Sequence, residues 1–119
     1  MKLSRLVCAA AVVCVALAFA GPVHADSTAT SKITQIKILS KANKNFRLFH
    51  GAIWLEYDRD KFNYRWGGKH CKGNTLKGIN VGMLFAAFRY KYSITIDYKN
   101  HVHGKHKFRC VTAFMLSHK

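Results

Sequence analysis

Apolar and polar residues alternate along several short stretches of the chain, a pattern typical of β-strands with one buried face. The clearest is Ser-Ile-Thr-Ile-Asp-Tyr at 93–98. Similar alternation, with a kink expected at Gly51 in the second stretch, predicts further strands at 33–39, 46–57, 62–66 and 107–115. We therefore expect a sheet of about five to six strands.

A different period marks the one helix that the pattern predicts. Val81, Leu84, Phe85 and Phe88 recur at helical spacing, and Asn80 is a suitable N-cap. This indicates a helix near 80–91. Its flanking positions are also apolar, so we expect it to be well covered or to lie over a neighbour. Strands, one helix and then strands in a short chain favour an α+β fold, a small OB-like antiparallel β-barrel with the helix at an open end.

The N-terminus has the features of a secretory signal peptide. A short basic head precedes an apolar run of about 15 residues, and Val23-His24-Ala25 ends it with a small-x-small cleavage pattern. A membrane anchor is the alternative, but the run is short of the roughly 20 residues that span a bilayer. We expect residues 1–25 to be removed, 26–32 to form a disordered tail and 33–119 to form a single OB-like domain. The protein is then secreted or periplasmic.

Two cysteines, Cys71 and Cys110, remain after that cleavage. An oxidising compartment permits them to form a disulfide. A metal pair is the rival interpretation, but the two residues are far apart and no CxxC accompanies them. We expect the disulfide and no cofactor.

The mature chain is strongly basic. It keeps 18 Lys and Arg against 5 Asp and Glu, a net charge of +13. Such a field favours anionic partners, although it also keeps an exported protein soluble. We expect an anionic glycan or envelope surface as the partner. Peripheral membrane contact stays open, and the export signal argues against nucleic acid.

The candidate anion-binding residues cluster near the two cysteines, at the end of the helix and in the segment 101–106, which we expect to be a loop. Three of its histidines, His101, His103 and His106, are also a weak metal-site alternative. Acidification would add charge to them, so a pH-dependent switch is a third option. The full set is Lys69, His70, Lys72, Arg89, Lys91, Lys99, His101, His103, Lys105, His106 and Lys107.

Four stretches of the chain also resemble a known family. They are Lys69-His70-Cys71, the run 83–88 (Met-Leu-Phe-Ala-Ala-Phe), the strand 93–98 and Phe108-Arg109-Cys110. Together they resemble the binding (B) subunits of bacterial AB5-type toxins, in the subtilase-cytotoxin and pertussis-like branch, and related small secreted OB-like proteins. The resemblance implies a ring-forming homo-oligomer that binds glycans. It carries over no glycan-binding residue, because no serine-rich sugar-binding segment matches.

These observations lead to one expected function and two alternatives. We expect an exported, non-enzymatic protein that binds an anionic glycan or a cell-envelope component. A cationic antimicrobial protein, with its helix as the membrane-active element, is the first alternative. The second is a small secreted ribonuclease that uses His70 and a loop histidine as acid and base.

Overall fold

Six β-strands and one α-helix make up the computed structural model, which describes residues 26–118. The helix α1 spans Gly78–Tyr90, and a 3₁₀ turn spans Glu56–Asp58. The strands in chain order are β1 Asp26–Ser27, β2 Ser31–Ile38, β3 Gly51–Leu55, β4 Asn63–Trp66, β5 Ser93–His103 and β6 His106–Ser117. The predicted α+β class is confirmed. The signal peptide predicted for 1–25 lies outside the described residues.

The six strands form one sheet in the order β1-β5-β2-β3-β4-β6, and β6 also pairs with β5. The β5–β6 hairpin is the longest pairing, whereas β2–β5 and β4–β6 each rest on two residue pairs. The prediction that the sheet is antiparallel is wrong for one pair, because β4 and β6 run parallel at Tyr64 and Arg65. The sheet is therefore held together mainly by the last hairpin and by β2, β3 and β4.

The structure differs from the sequence prediction in two segments, 46–50 and 26–32, because hydrogen bonds that the alternation pattern does not reveal decide their conformation. Residues 46–50 are not strand. Asn43 and Asn45 accept backbone hydrogen bonds from the next residues and fold the segment into turns, as is typical of asparagine. The segment 26–32, expected to be a disordered tail, instead pairs with β5, and the Thr28 hydroxyl accepts a bond from the Ile96 amide.

The hydrophobic core lies between the inner face of α1 and the sheet. Leu84 and Ala87 of the helix are fully buried, while Phe85, predicted on the same stripe, is half exposed. It is exposed because the inward face is centred on Leu84, with Val81 and Phe88 partly buried beside it. The buried residues of this cluster are Ile33, Ile53, Leu55, Tyr64, Trp66, Leu84, Ala87, Ile94, Ile96 and Val111.

The helix differs from expectation in one further respect. It begins at Gly78 after Lys77, not after the predicted cap Asn80. No other part of the described chain covers its outer side, since a Cβ atom added at Gly78 or Gly82 would meet nothing within 4 Å. The helix was expected to be well covered or to lie over a neighbour, and it does lie over the sheet, with its outer face uncovered.

The histidine segment 101–106 is not a loop but the end of a hairpin. β5 continues to His103 and β6 starts at His106, and Gly104 turns the chain with a φ of 64°. Two-residue hairpin turns favour glycine because they require positive φ. In this register His101 lies opposite Phe108, and His103 lies opposite His106.

Candidate functional site

Two successive glycines bring the backbone at His70 close to the segment that contains Leu48. Gly67 and Gly68 adopt φ values of 73° and 70°, which residues other than glycine rarely adopt. A Cβ at Gly68 would overlap the backbone of Leu48. This close approach lets the His70 amide donate to the Leu48 carbonyl at 2.8 Å.

The predicted disulfide between Cys71 and Cys110 is present. Their Cα atoms lie 5.5 Å apart, and both side chains are buried. Because Cys110 is in the middle of β6, the bond joins the loop that carries His70 to the last hairpin. The Cys110 sulfur lies 3.3 Å from the His70 carbonyl oxygen, so the two positions are in direct contact.

His70, Arg65, Phe49 and Phe108 form what we term the aromatic–arginine stack. The His70 ring lies parallel to that of Phe108, with centroids 3.9 Å apart, and near-parallel to Phe49 at 5.8 Å. The Arg65 guanidinium lies 4.2 Å from the Phe49 centroid and 4.7 Å from that of Phe108. Cation–π contacts of this kind hold a guanidinium in place without neutralising its charge.

Hydrogen bonds fix the orientation of Arg65 further. Its Nε donates to the Asn63 amide oxygen at 2.8 Å, and one terminal nitrogen donates to His70 Nδ1 at 2.7 Å. Burial lowers the pKa of His70, and the positive charge of Arg65 and the nearby His103 lower it further. His70 is therefore a neutral acceptor for Arg65 near pH 7.

A histidine cleft of about 590 Å³ lies near this stack, and His103, whose ring centroid is 5.4 Å from that of His70, is part of its lining. Four of the predicted ligand residues, Lys69, Lys72, His101 and His103, line it, so the fold brings these four side chains together. Arg47 and Gly68 complete its lining. Among the described residues, no carboxylate lines the cleft. The side chains that line the histidine cleft are therefore all lysine, arginine or histidine, and Gly68 contributes backbone.

A second cavity, an arginine cleft of about 450 Å³, is lined in part by Phe108 and Arg65 of the stack. Its lining contains one predicted residue, Lys107, but sequence reasoning missed its two arginines, Arg65 and Arg109. Strand alternation puts Arg65 on the face away from the buried Tyr64 and Trp66, but the sequence around the two arginines carries no signal of function. The lining is Lys61, Phe62, Asn63, Arg65, Asn100, Lys107, Phe108 and Arg109.

Arg109 is held as firmly as Arg65. Its guanidinium lies 4.1 Å from the Phe62 centroid and 5.1 Å from that of Tyr98. It also donates to the buried Tyr64 hydroxyl at 3.0 Å, and that hydroxyl donates to Asp58 at 2.7 Å. Burial, together with the Asp58 bond, raises the pKa of Tyr64. The tyrosine therefore stays protonated and links the carboxylate to the arginine.

The other predicted ligand residues lie elsewhere. Arg89 is in the last turn of α1 and Lys91 follows it, so both belong to the helix end. Lys99, Lys105 and His106 are exposed on the hairpin. Within residues 26–118 no three His, Cys, Asp or Glu side chains converge as metal ligands, and this includes His101, His103 and His106.

None of the five acidic residues of the sequence lines either cleft, although Asp58 is linked to Arg109 through the Tyr64 hydroxyl. Asp26 and Asp97 lie on the neighbouring strands β1 and β5, and the others fall within 56–60. Consequently no acid occurs between residues 61 and 96 or after 97. The surface around the aromatic–arginine stack carries positive charge that few acids offset.

Comparison of the sequence and the structure with known proteins finds no matching family model, no similar curated protein and no similar solved structure.

Proposed function

We propose that this protein is an exported binding protein for an anionic glycan or cell-envelope component, and that it binds through the histidine and arginine clefts. The single observation that carries the proposal is a pair of clefts rich in cationic side chains, in which no carboxylate occurs among the described lining residues. Cavities of a few hundred cubic ångströms are the usual size of small-ligand sites.

The two arginines indicate the chemistry of the ligand. A guanidinium fork matches the oxygen geometry of a carboxylate, phosphate or sulfate group. Arg65 and Arg109 are held before any ligand arrives, so binding does not have to order them. Phe62 and Phe108 line the same cleft and offer apolar faces for the carbon skeleton beside the charged group. A sugar acid or a phosphorylated sugar has both features.

We infer further that the sheet is a distorted OB-like barrel, in keeping with the resemblance to toxin B subunits. The return pairing of β6 with β5 supports this, since it joins the last strand in the order to the second and closes a ring of five strands. A ring-shaped homo-oligomer and a secreted or periplasmic location are parts of the same proposal.

The ribonuclease alternative has less geometric support. His70 and His103 are close, with centroids 5.4 Å apart. However, Nδ1 of His70 accepts from Arg65, so its other nitrogen carries the proton and the ring has no free lone pair to act as a base. Its lowered pKa also disfavours the protonated form that a general acid requires. These contacts favour binding over acid–base catalysis.

Binding of the mature chain, residues 26–119, to an array of sialylated, sulfated and phosphorylated glycans tests the proposal. We expect binding that persists at about 0.3 M salt, where exposed charges are largely screened. Replacing Arg109 by lysine keeps the charge but loses the fork, so affinity should fall about tenfold or more. Lys69→Glu with Lys72→Glu should weaken binding at the histidine cleft.

Lys77→Glu with Lys91→Glu is the matched control, since it makes the same change in net charge outside both clefts. Thermal melts establish that each variant is folded. Equal losses in the control and cleft pairs, or unchanged affinity in Arg109→Lys, would show that binding is bulk electrostatics and would reject the proposed site. Cleavage of RNA that is abolished in His70→Ala would instead favour the enzyme.

A further inference from the structure

The outer face of α1 is exposed and almost wholly apolar. Ile79, Met83, Phe85 and Tyr90 are 75%, 45%, 47% and 60% exposed. Gly82 and Ala86 complete the same face, and Arg89 is its one charged residue. Helices that cover a soluble protein normally present charged and polar side chains to water. A contiguous apolar face of this kind marks an interaction surface.

Positive charge surrounds this face at both ends. Lys77 precedes the helix, and Arg89 and Lys91 lie at its C-terminus. The ammonium group of Lys32 donates to the Lys91 carbonyl at 2.6 Å, which adds a third cation at the C-terminal end. One acid, Glu56, shares a cleft with Arg89 and Lys91, so the field at that end is partly reduced. The overall pattern is an apolar stripe bordered by cations.

We propose that this face docks on an anionic lipid bilayer, with α1 lying flat in the interface. Apolar side chains enter the headgroup–acyl boundary while neighbouring cations contact lipid phosphates, as in other interfacial helices. Tyr90 suits that depth because its ring is apolar and its hydroxyl polar. None of the helices within residues 26–118 is long and apolar enough to cross a membrane. The 13 residues of α1 lie on the surface instead.

Charge argues against a second copy of the chain as the occupant. Pairing this same face of two copies would bring Lys77, Arg89 and Lys91 of both chains together, whereas an oligomer formed through another surface would not. Like charges at a contact oppose association, whereas a bilayer of anionic lipid neutralises them. The face is separate from the two clefts, so this inference does not depend on the proposed glycan site.

Co-sedimentation of the mature chain with vesicles tests the inference. The vesicles contain either phosphatidylcholine alone or phosphatidylcholine with about 30% phosphatidylglycerol, in about 0.1 M salt. We expect binding to the anionic vesicles. Ile79→Ser with Met83→Ser should reduce the partition coefficient about tenfold or more, since both side chains would otherwise enter the apolar phase. Neither residue is buried, so folding is retained.

Val102→Ser with Met115→Ser is the matched control, because these apolar residues are 64% and 67% exposed but lie on the last hairpin. It should bind within about twofold of the unaltered chain. Equal losses in the two pairs, or no loss in the helix pair, would overturn the inference. So would sedimentation equilibrium showing an oligomer that the helix pair dissociates, since the face would then be a contact between copies.

Discussion

Loss of the Cys71–Cys110 disulfide should destabilise the protein by an amount that follows from its position in the chain. The two residues are 39 apart in sequence and close a loop of 40 residues. Chain-entropy reasoning gives about 4 kcal/mol for a loop of that length. A domain of this size has a total stability of roughly 5–15 kcal/mol. The bond therefore accounts for a large share of the folding free energy.

Urea unfolding of the oxidised chain, the reduced chain and Cys71→Ala with Cys110→Ala separates two contributions. The reduced chain keeps both sulfur atoms and loses only the cross-link. The double variant also loses two buried sulfurs, which leaves small cavities beside β6. With a urea dependence of about 1–3 kcal/mol per molar, a loss of 4 kcal/mol lowers the midpoint by roughly 1.3–4 M. The double variant should unfold slightly earlier still.

The same experiment tests how the site is held. Without the disulfide, the His70 loop keeps its backbone bonds to residues 47 and 48 and its ring stack on Phe108. We expect anion affinity to fall in parallel with stability, because the histidine cleft is built on that loop. Stability of the reduced chain within about 1 kcal/mol of the oxidised chain would refute the reasoning.

Three further predictions concern residues near the site. Folding lowers the pKa of His70, so the stability linked to its neutral form is complete above the unfolded-state pKa of about 6.5 and is lost as the pH falls below that value. The melting temperature should therefore fall more steeply between pH 8 and pH 5 in the unaltered chain than in His70→Phe. Parallel curves for the two proteins would contradict this. Tyr64→Phe should lower the free energy of unfolding in urea by about 1–3 kcal/mol. Asp58 would lose its only side-chain hydrogen-bond partner in the described structure, and its other carboxylate oxygen already lacks a partner there. An unchanged urea midpoint would show that water replaces the bond. Gly68→Ala should destabilise the chain clearly more than Gly73→Ala, because both positions have positive φ but only the first meets backbone atoms; equal midpoints would remove the close-packing argument.

The alternation of apolar and polar residues predicted those strands that have one buried face and one exposed face. It located β5 from Ser93 and most of β6, because each has one face against the core and one against solvent. The helix was also found, since its inward residues recur at 3.6-residue spacing. The sequence did less well at 46–50, where the Asn43 side chain accepts from the Asn45 amide and the Asn43 and Asn45 carbonyls accept from the residues that follow, which makes turns in spite of the apolar pattern.

The candidate site was partly predictable. Clusters of basic residues beside the cysteines and in the histidine segment pointed to Lys69, Lys72, His101 and His103, and these share one cleft. Arg65 and Arg109 were missed because a single arginine within a strand has no local signal of function. Their role depends on the parallel pairing of β4 with β6, which no local pattern reveals.

The sequence by itself determined the class of fold, the disulfide partners and the sign of the charge, because these follow from local periodicity, a count of cysteines and a count of ionisable groups. Tertiary structure alone decided which cations face a common cleft, that His70 is a neutral stacking partner of Arg65, and that α1 leaves an apolar face uncovered. Each of these depends on contacts between residues far apart in the chain, and such contacts are set by how the strands pair.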